Sequence, residues 1–208
     1  MKKSLLMIFI VFLCLSLSFM GCTSGNTEEK IEEDIEKGLK DGVENLEEHL
    51  NDNILDKPSL AGIRLGDTKE TVEEKLGSDY QEKAYEEAGH FPEQFYTWQY
   101  NNGTVVYIGK DSGKVLEIRS TAQGVATNLE VKVGDSAEKI FETYRDKYTE
   151  PESIHGGKLI GVFKVEDGAA LIFDFNTEDG IVNPEDIKPE DRVERIILTY
   201  PAHIDDNF

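Results

Sequence analysis

Three patterns in this sequence have residue types that could do chemistry. The first is a thiol. Cys22 follows Phe19-Met20-Gly21 at the end of an apolar run, and a thiol is a strong nucleophile. The second is a set of oxygen donors. Asp174, Asn176 and Glu178 alternate at the start of an acidic loop that runs to Asp191, a spacing used by loops that hold hard cations. Gly180 falls one place late for an EF-hand, and no bidentate Glu follows at the required distance, so the pattern fits a solvated loop better than a metal site. The third combines aromatic residues with a cation: Trp98, Tyr100, Tyr107 and Arg119. Trp, Tyr and Arg dominate binding hot spots. The same aromatics could equally be core packing.

Other reactive chemistry finds little support. His49, His90, His155 and His203 are scattered without ligand spacing, and neither Cys14 nor Cys22 is placed as a catalytic thiol. Ser136-Ala137-Glu138-Lys139 has the form S-x-x-K, but it opens a predicted helix, and its repeat counterpart reads Thr68-Lys69-Glu70-Thr71. Neither a G-x-x-x-x-G-K phosphate loop nor a G-x-S-x-G elbow occurs. No enzyme activity, cofactor or metal is expected from these residues.

The stretch that leads to Cys22 begins with Lys2 and Lys3 and continues from Leu5 to Phe19, almost wholly apolar. About 20 apolar residues are needed to span a bilayer, so this run is short for a span and reads as a secretory leader. With its terminal Gly21-Cys22 it resembles the lipobox of bacterial lipoproteins. Phe19 stands where that family commonly has Leu, and Met20 is larger than its usual residue. The resemblance implies a signal peptide over 1–21, removal of Cys14 with it, and diacylation of Cys22. Two or more acyl chains hold a protein stably on a membrane, since each buried CH₂ contributes about 0.8 kcal/mol. The expected location is the extracytoplasmic face of a cell membrane.

Charge restricts the partners further. The chain has 42 Asp and Glu against 22 Lys and Arg, a formal −20, and losing Lys2 and Lys3 makes the remainder more acidic. Nucleic acid binding rewards Lys and Arg stripes, so it is excluded as a function class. An anionic membrane surface would also repel this body.

Elements must position these groups, and the sequence supplies them in three blocks. Residues 22–57 are a tether and an acidic spacer. Ile31, Ile35, Leu39, Val43, Leu46 and Leu50 form a helical stripe, which Gly38 and Gly42 weaken. Residues 58–125 and 126–208 then repeat one motif. "GIRLGDTKETVEEKLG" at 62–77 aligns with "LEVKVGDSAEKIFETY" at 129–144 at an offset of 68. Each copy reads as an extended segment, a glycine turn and a helix. Asp67 or Asp135 is predicted to cap that helix, with Glu70 or Glu138 reaching back.

Three strands follow each helix: 94–100, 104–109 and 114–121, then 158–165, 169–175 and 192–200. "YQEKAYEEAGHFPE" is predicted to add a short helix before Pro92. Val115 and Ile118 align with Val193 and Ile196 at an offset of 78, so the ten extra residues fall in the loop 176–191. The fold class is therefore α+β, with two tandem helix-plus-antiparallel-sheet units sharing an edge. The helices would cover one sheet face, against Val106, Ile108, Leu116 and Ile118. Tyr107, Glu117 and Arg119 would point to an opposite face that stays wet or meets a partner. Replacing Arg119 and Tyr107 together should then weaken binding with little change in melting temperature.

The motif I-x-L-G-D-[TS]-x-x-x-[VI], a Trp/Tyr-rich strand and a hairpin ending "GKVLEIRS" resemble the repeats of β-lactamase-inhibitor-protein-like and SmpA/OmlA-like modules. Two tandem-repeat groups of Bacillus-type proteins are also similar: the CAP-associated N-terminal domain and the YjgB-type lipoproteins. The likeness covers about residues 60–200. It implies tandem α+β units and extracytoplasmic protein binding, although the inhibitor family's cysteines are missing. The expected function is a membrane-anchored, non-enzymatic module that binds a protein or envelope component. The alternatives are an accessory or inhibitor of a cell-wall or secreted enzyme, an unrecognised hydrolase, or a solute carrier, for which the chain is short.

Overall fold

The computed structural model describes residues 57–204, apart from 179, 181, 182 and 185. The leader, Cys22 and the stripe from Ile31 to Leu50 lie outside these residues. The described elements run in chain order: α1 (Lys69–Leu76), β1 (Tyr80–Tyr85), β2 (Phe95–Tyr100), β3 (Thr104–Gly109), β4 (Val115–Ser120), α2 (Ala137–Arg145), β5 (Val162–Lys164), β6 (Ala170–Asp174) and β7 (Arg195–Thr199). The result is an α+β fold. All seven strands join one antiparallel sheet in the order β1-β2-β3-β4-β7-β6-β5.

Glycine turns set the strand connections. Asn101-Asn102-Gly103 joins β2 to β3 with Gly103 at φ 96°, a conformation that excludes most side chains. Asp111-Ser112-Gly113 joins β3 to β4, and the Glu93 carboxylate fastens it by accepting the N–H groups of Asp111 (2.6 Å) and Ser112 (3.0 Å).

The two helices begin in matching ways, though not as the sequence reading predicts. The caps are Thr68 and Ser136, whose hydroxyls accept the N–H of Thr71 and Lys139. The aspartates beside them close the preceding turn instead: Asp67 Oδ2 accepts Arg64 N–H (3.0 Å), and Asp135 Oδ2 accepts Lys132 N–H (2.8 Å). A carboxylate one residue before the cap is better placed for the turn behind it than for the helix ahead. Gly66 N–H then donates to Val115 O, and Gly134 N–H to Val193 O; Val115 N–H donates to Asp67 O, and Val193 N–H to Asp135 O. The same pair of bonds thus ties one turn to the first residue of β4 and the other to the residue two before β7.

Both helices cover one sheet face. Val72 of α1 and Ile140 and Tyr144 of α2 pack with Trp98, Val106, Ile118, Phe163, Leu171, Phe173, Ile196 and Leu198 in one core. At about 25 cal/mol per Å² of apolar surface, this shared layer is the main force holding helices to sheet. Tyr144 also donates a buried hydrogen bond to Thr127 Oγ1 (2.9 Å), which fixes α2 against the segment before it.

Two expectations are corrected. Residues 80–85 form β1 rather than a helix, pairing with β2 along its whole length. Glu, Lys and Ala there are good helix formers, but pairing with β2 and stacking of Tyr80 on Trp98 (4.1 Å between ring centres) outweigh that local preference. Leu116 also leaves the helix-covered side. A bulge in β3–β4 pairs Tyr107 with Glu117 but Ile108 with Val115, which sends Leu116 to the opposite face beside Phe91 and Phe95.

Candidate functional site

The sheet face away from the helices carries an unusual polar row. Strand pairing sets Lys83 beside Thr97, Thr97 beside Tyr107, and Tyr107 beside Glu117. The next row holds Gln81, Gln99, Val105, Arg119, Ile197, Ile172 and Val162. This face is not wet along its length. Ile172 and Ile197 are buried with Leu159 and Val162, and Phe91, Phe95 and Leu116 form a second apolar cluster. Partly buried Ile204 packs on the first cluster, and His203 meets Phe91 edge-on at 5.0 Å.

Arg119 sits between these clusters. Its Nε pairs with the Glu117 carboxylate, which is almost wholly buried, while the Arg119 side chain stays 30% exposed. Its guanidinium lies 5.0 Å from the centre of the Tyr107 ring, within cation–π range. Burial works against the charge of Arg119, but Glu117 and Tyr107 more than offset it and raise its pKa. Burial likewise pushes the Tyr107 phenol up, and Glu117 adds to this. The guanidinium is therefore held charged between the Glu117 carboxylate and the Tyr107 ring.

Several polar groups around this row lack partners. Among the described residues, the buried hydroxyls of Thr97 and Thr199 have none, nor do Arg195 Nε and His203 Nδ1. Burial also lowers the His203 pKa, partly offset by Glu117.

The four residues of the sequence-derived recognition set are not brought together. Trp98 and Tyr100 belong to the helix-side core, at 2% and 9% exposure. Trp98 donates to Glu82 Oε2 (2.8 Å), and Tyr100 donates to Gly77 O (3.1 Å), so their polar ends are used internally. Tyr107 and Arg119 remain as the surface pair.

The Asp174, Asn176 and Glu178 loop is also used internally. Asp174 is buried and pairs with Arg195, and its Oδ1 accepts Asn176 N–H at 3.0 Å. Asn176 Oδ1 in turn accepts Glu178 N–H at 3.2 Å. A guanidinium occupies the position a cation would need. Among the described residues no group of three or more His, Cys, Asp or Glu side chains could hold a metal ion.

Sequence reasoning missed the burial of Glu117, the orphaned threonines and the role of His203. Strand alternation gives the side of the sheet on which Glu117 falls but not its cover. Thr97 carries a weak signal, being a hydroxyl between Tyr96 and Trp98 in a strand rich in aromatic residues.

No protein-family model matches this sequence, and no curated protein matches it. Among solved structures, the crystal structure of the uncharacterized protein yfeY from Escherichia coli is similar over 64% of this chain and 88% of that one, at 14% identity and a TM-score of 0.37. A likeness at that level carries no argument about fold or function.

Proposed function

We propose that this protein is a non-enzymatic binding module, held on the extracytoplasmic face of a membrane by lipid on Cys22 and built from two tandem helix-over-sheet units. Its partner is a protein or envelope component that offers a carboxylate or carbonyl to Arg119. The observation that carries the reading is the fixed guanidinium: Arg119 is oriented by buried Glu117 and flanked by Tyr107 at the edge of an apolar face. An arginine ordered before binding loses little entropy on contact, which is how hot spots gain affinity. The matched turn-to-strand bonds of Gly66, Asp67 and Val115 with Gly134, Asp135 and Val193 support the tandem reading. So does the direct pairing of β4 with β7, the last strand of each unit.

The test uses the full-length chain in its own membranes, with a photoreactive side chain at Gln99, which is exposed and shares a row with Arg119. Irradiation should give one discrete adduct, and Arg119→Lys should abolish it. Lysine keeps a charge beside Glu117 but loses the planar fork. An adduct indifferent to Arg119→Lys, or none, contradicts the proposal.

A further inference from the structure

Beyond the Arg119 face, a second surface follows the outer flank of α2. Glu138, Phe141, Glu142 and Arg145 occupy this flank at helical spacing, and Ile160, Ile187 and Pro189 line a cleft of about 360 Å³ with them. Past Arg145 and Ile160 a second hollow of about 470 Å³ continues along Tyr148, Thr149, Glu150 and Lys158. The two hollows adjoin at Arg145 and Ile160, which line both. The floor of the first, the α2 groove, is Phe141, with the Arg145 guanidinium 3.6 Å above the ring centre. Arg145 is neutralised by a two-point pair with Glu150, at 3.1 and 3.0 Å. Glu138 and Glu142 are exposed, and among the described residues neither forms an ion pair.

The groove is made of what distinguishes the two halves. At the offset of 68, the position of Phe141 is held in α1 by Glu73, so an apolar residue there is not required for such a helix to cover the sheet. The wall residues Ile187 and Pro189 come from the loop 176–191, which is ten residues longer than its counterpart in the first half. Glu138 and Glu142 have the acidic counterparts Glu70 and Glu74, but α1 offers no apolar floor between them. Apolar floor, apolar wall and unpaired acidic rim coincide only on α2.

We infer that the α2 groove binds a cationic amphipathic peptide segment of a partner protein, with apolar side chains on Phe141, Ile160 and Ile187 and Lys or Arg beside Glu138 and Glu142. A helix of about two and a half turns matches the nine residues of α2, at 3.6 residues per turn. The inference rests on the binding-module reading and on the equivalence of the two halves, but it does not involve Arg119.

The test is fluorescence anisotropy of the full chain with a labelled peptide of about 12 residues, Leu on one helical face and Lys on the flanks. Glu138→Gln with Glu142→Gln should weaken binding about tenfold, as two lost surface charge pairs allow. The same change at exposed Glu74 and Glu87 should leave it within about twofold, the scatter of surface charges distant from the site. Phe141→Glu, which copies the α1 residue, should abolish binding with the fold retained by circular dichroism. If the Glu74 and Glu87 changes weaken binding as much, the peptide is responding to overall acidity and the site is wrong; absence of saturable binding also overturns it. Arg119→Lys should leave peptide affinity unchanged, so the two proposed surfaces fail independently.

Discussion

Arg119 shows how much one side chain's meaning depends on its neighbour. From sequence it looks like a free surface cation whose loss leaves stability alone. In the fold it neutralises Glu117, which is almost wholly buried. Removing one partner of a buried pair leaves an uncompensated charge, so Arg119→Ala should cost about 2–3 kcal/mol, discounted from a fully buried pair because Arg119 keeps some exposure. Urea unfolding would measure it, and Glu117→Gln in the same background should recover much of the loss. His203 makes a pH prediction. Its folded pKa is lowered from 6.5 by burial, so protonation favours the unfolded chain. Its effect is absent above about pH 6.5 and becomes an increasing penalty as the pH falls toward the folded value. His203→Asn should flatten the decline in melting temperature below pH 6.5. A decline as steep as in the unaltered chain would remove His203 from the account. At this scale the residue types were readable but not their burial, because the cover over Glu117 and Leu116 comes from Phe91 and from residues 201–204, far away in sequence.

Among the elements, those whose signals are local were legible. Both helices, the Asn-Gly and Ser-Gly hairpins and six of the seven strands follow from periodicity and turn chemistry. What escaped was decided across strands. β1 is charged because it is an edge, where Glu82 and Lys83 discourage pairing with another copy, and those same residues imitate a helix. The bulge that turns Leu116 over has no sequence mark of its own. The exchange of roles between Asp67 and Thr68, and between Asp135 and Ser136, is a shift of one residue that pattern reading does not resolve. It makes a matched prediction. Asp67→Ala and Asp135→Ala each remove one acceptor from a turn amide, Arg64 or Lys132, and each should cost about 1 kcal/mol, with Asp135 somewhat more costly because it holds Lys139 at 2.7 Å, closer than Asp67 holds Lys75 at 3.7 Å. Thermal unfolding of both variants would check it. A large effect at one position and none at the other would break the equivalence of the two turns.

For the molecule as a whole, one core runs beneath both helices and β4 pairs directly with β7, so neither 58–125 nor 126–208 is expected to fold alone. The acidic surface suits a body that stands off an anionic membrane and meets partners that carry basic groups. The proposed work of both surfaces depends on the chain being displayed at a membrane, which makes the state of residue 22 the central question. Intact-mass and fragment mass spectrometry of the protein extracted from membranes answers it directly. The account predicts a mature chain beginning at Cys22 and carrying acyl mass on that residue. A mature chain with an unmodified Cys22, or one cut elsewhere, would contradict it.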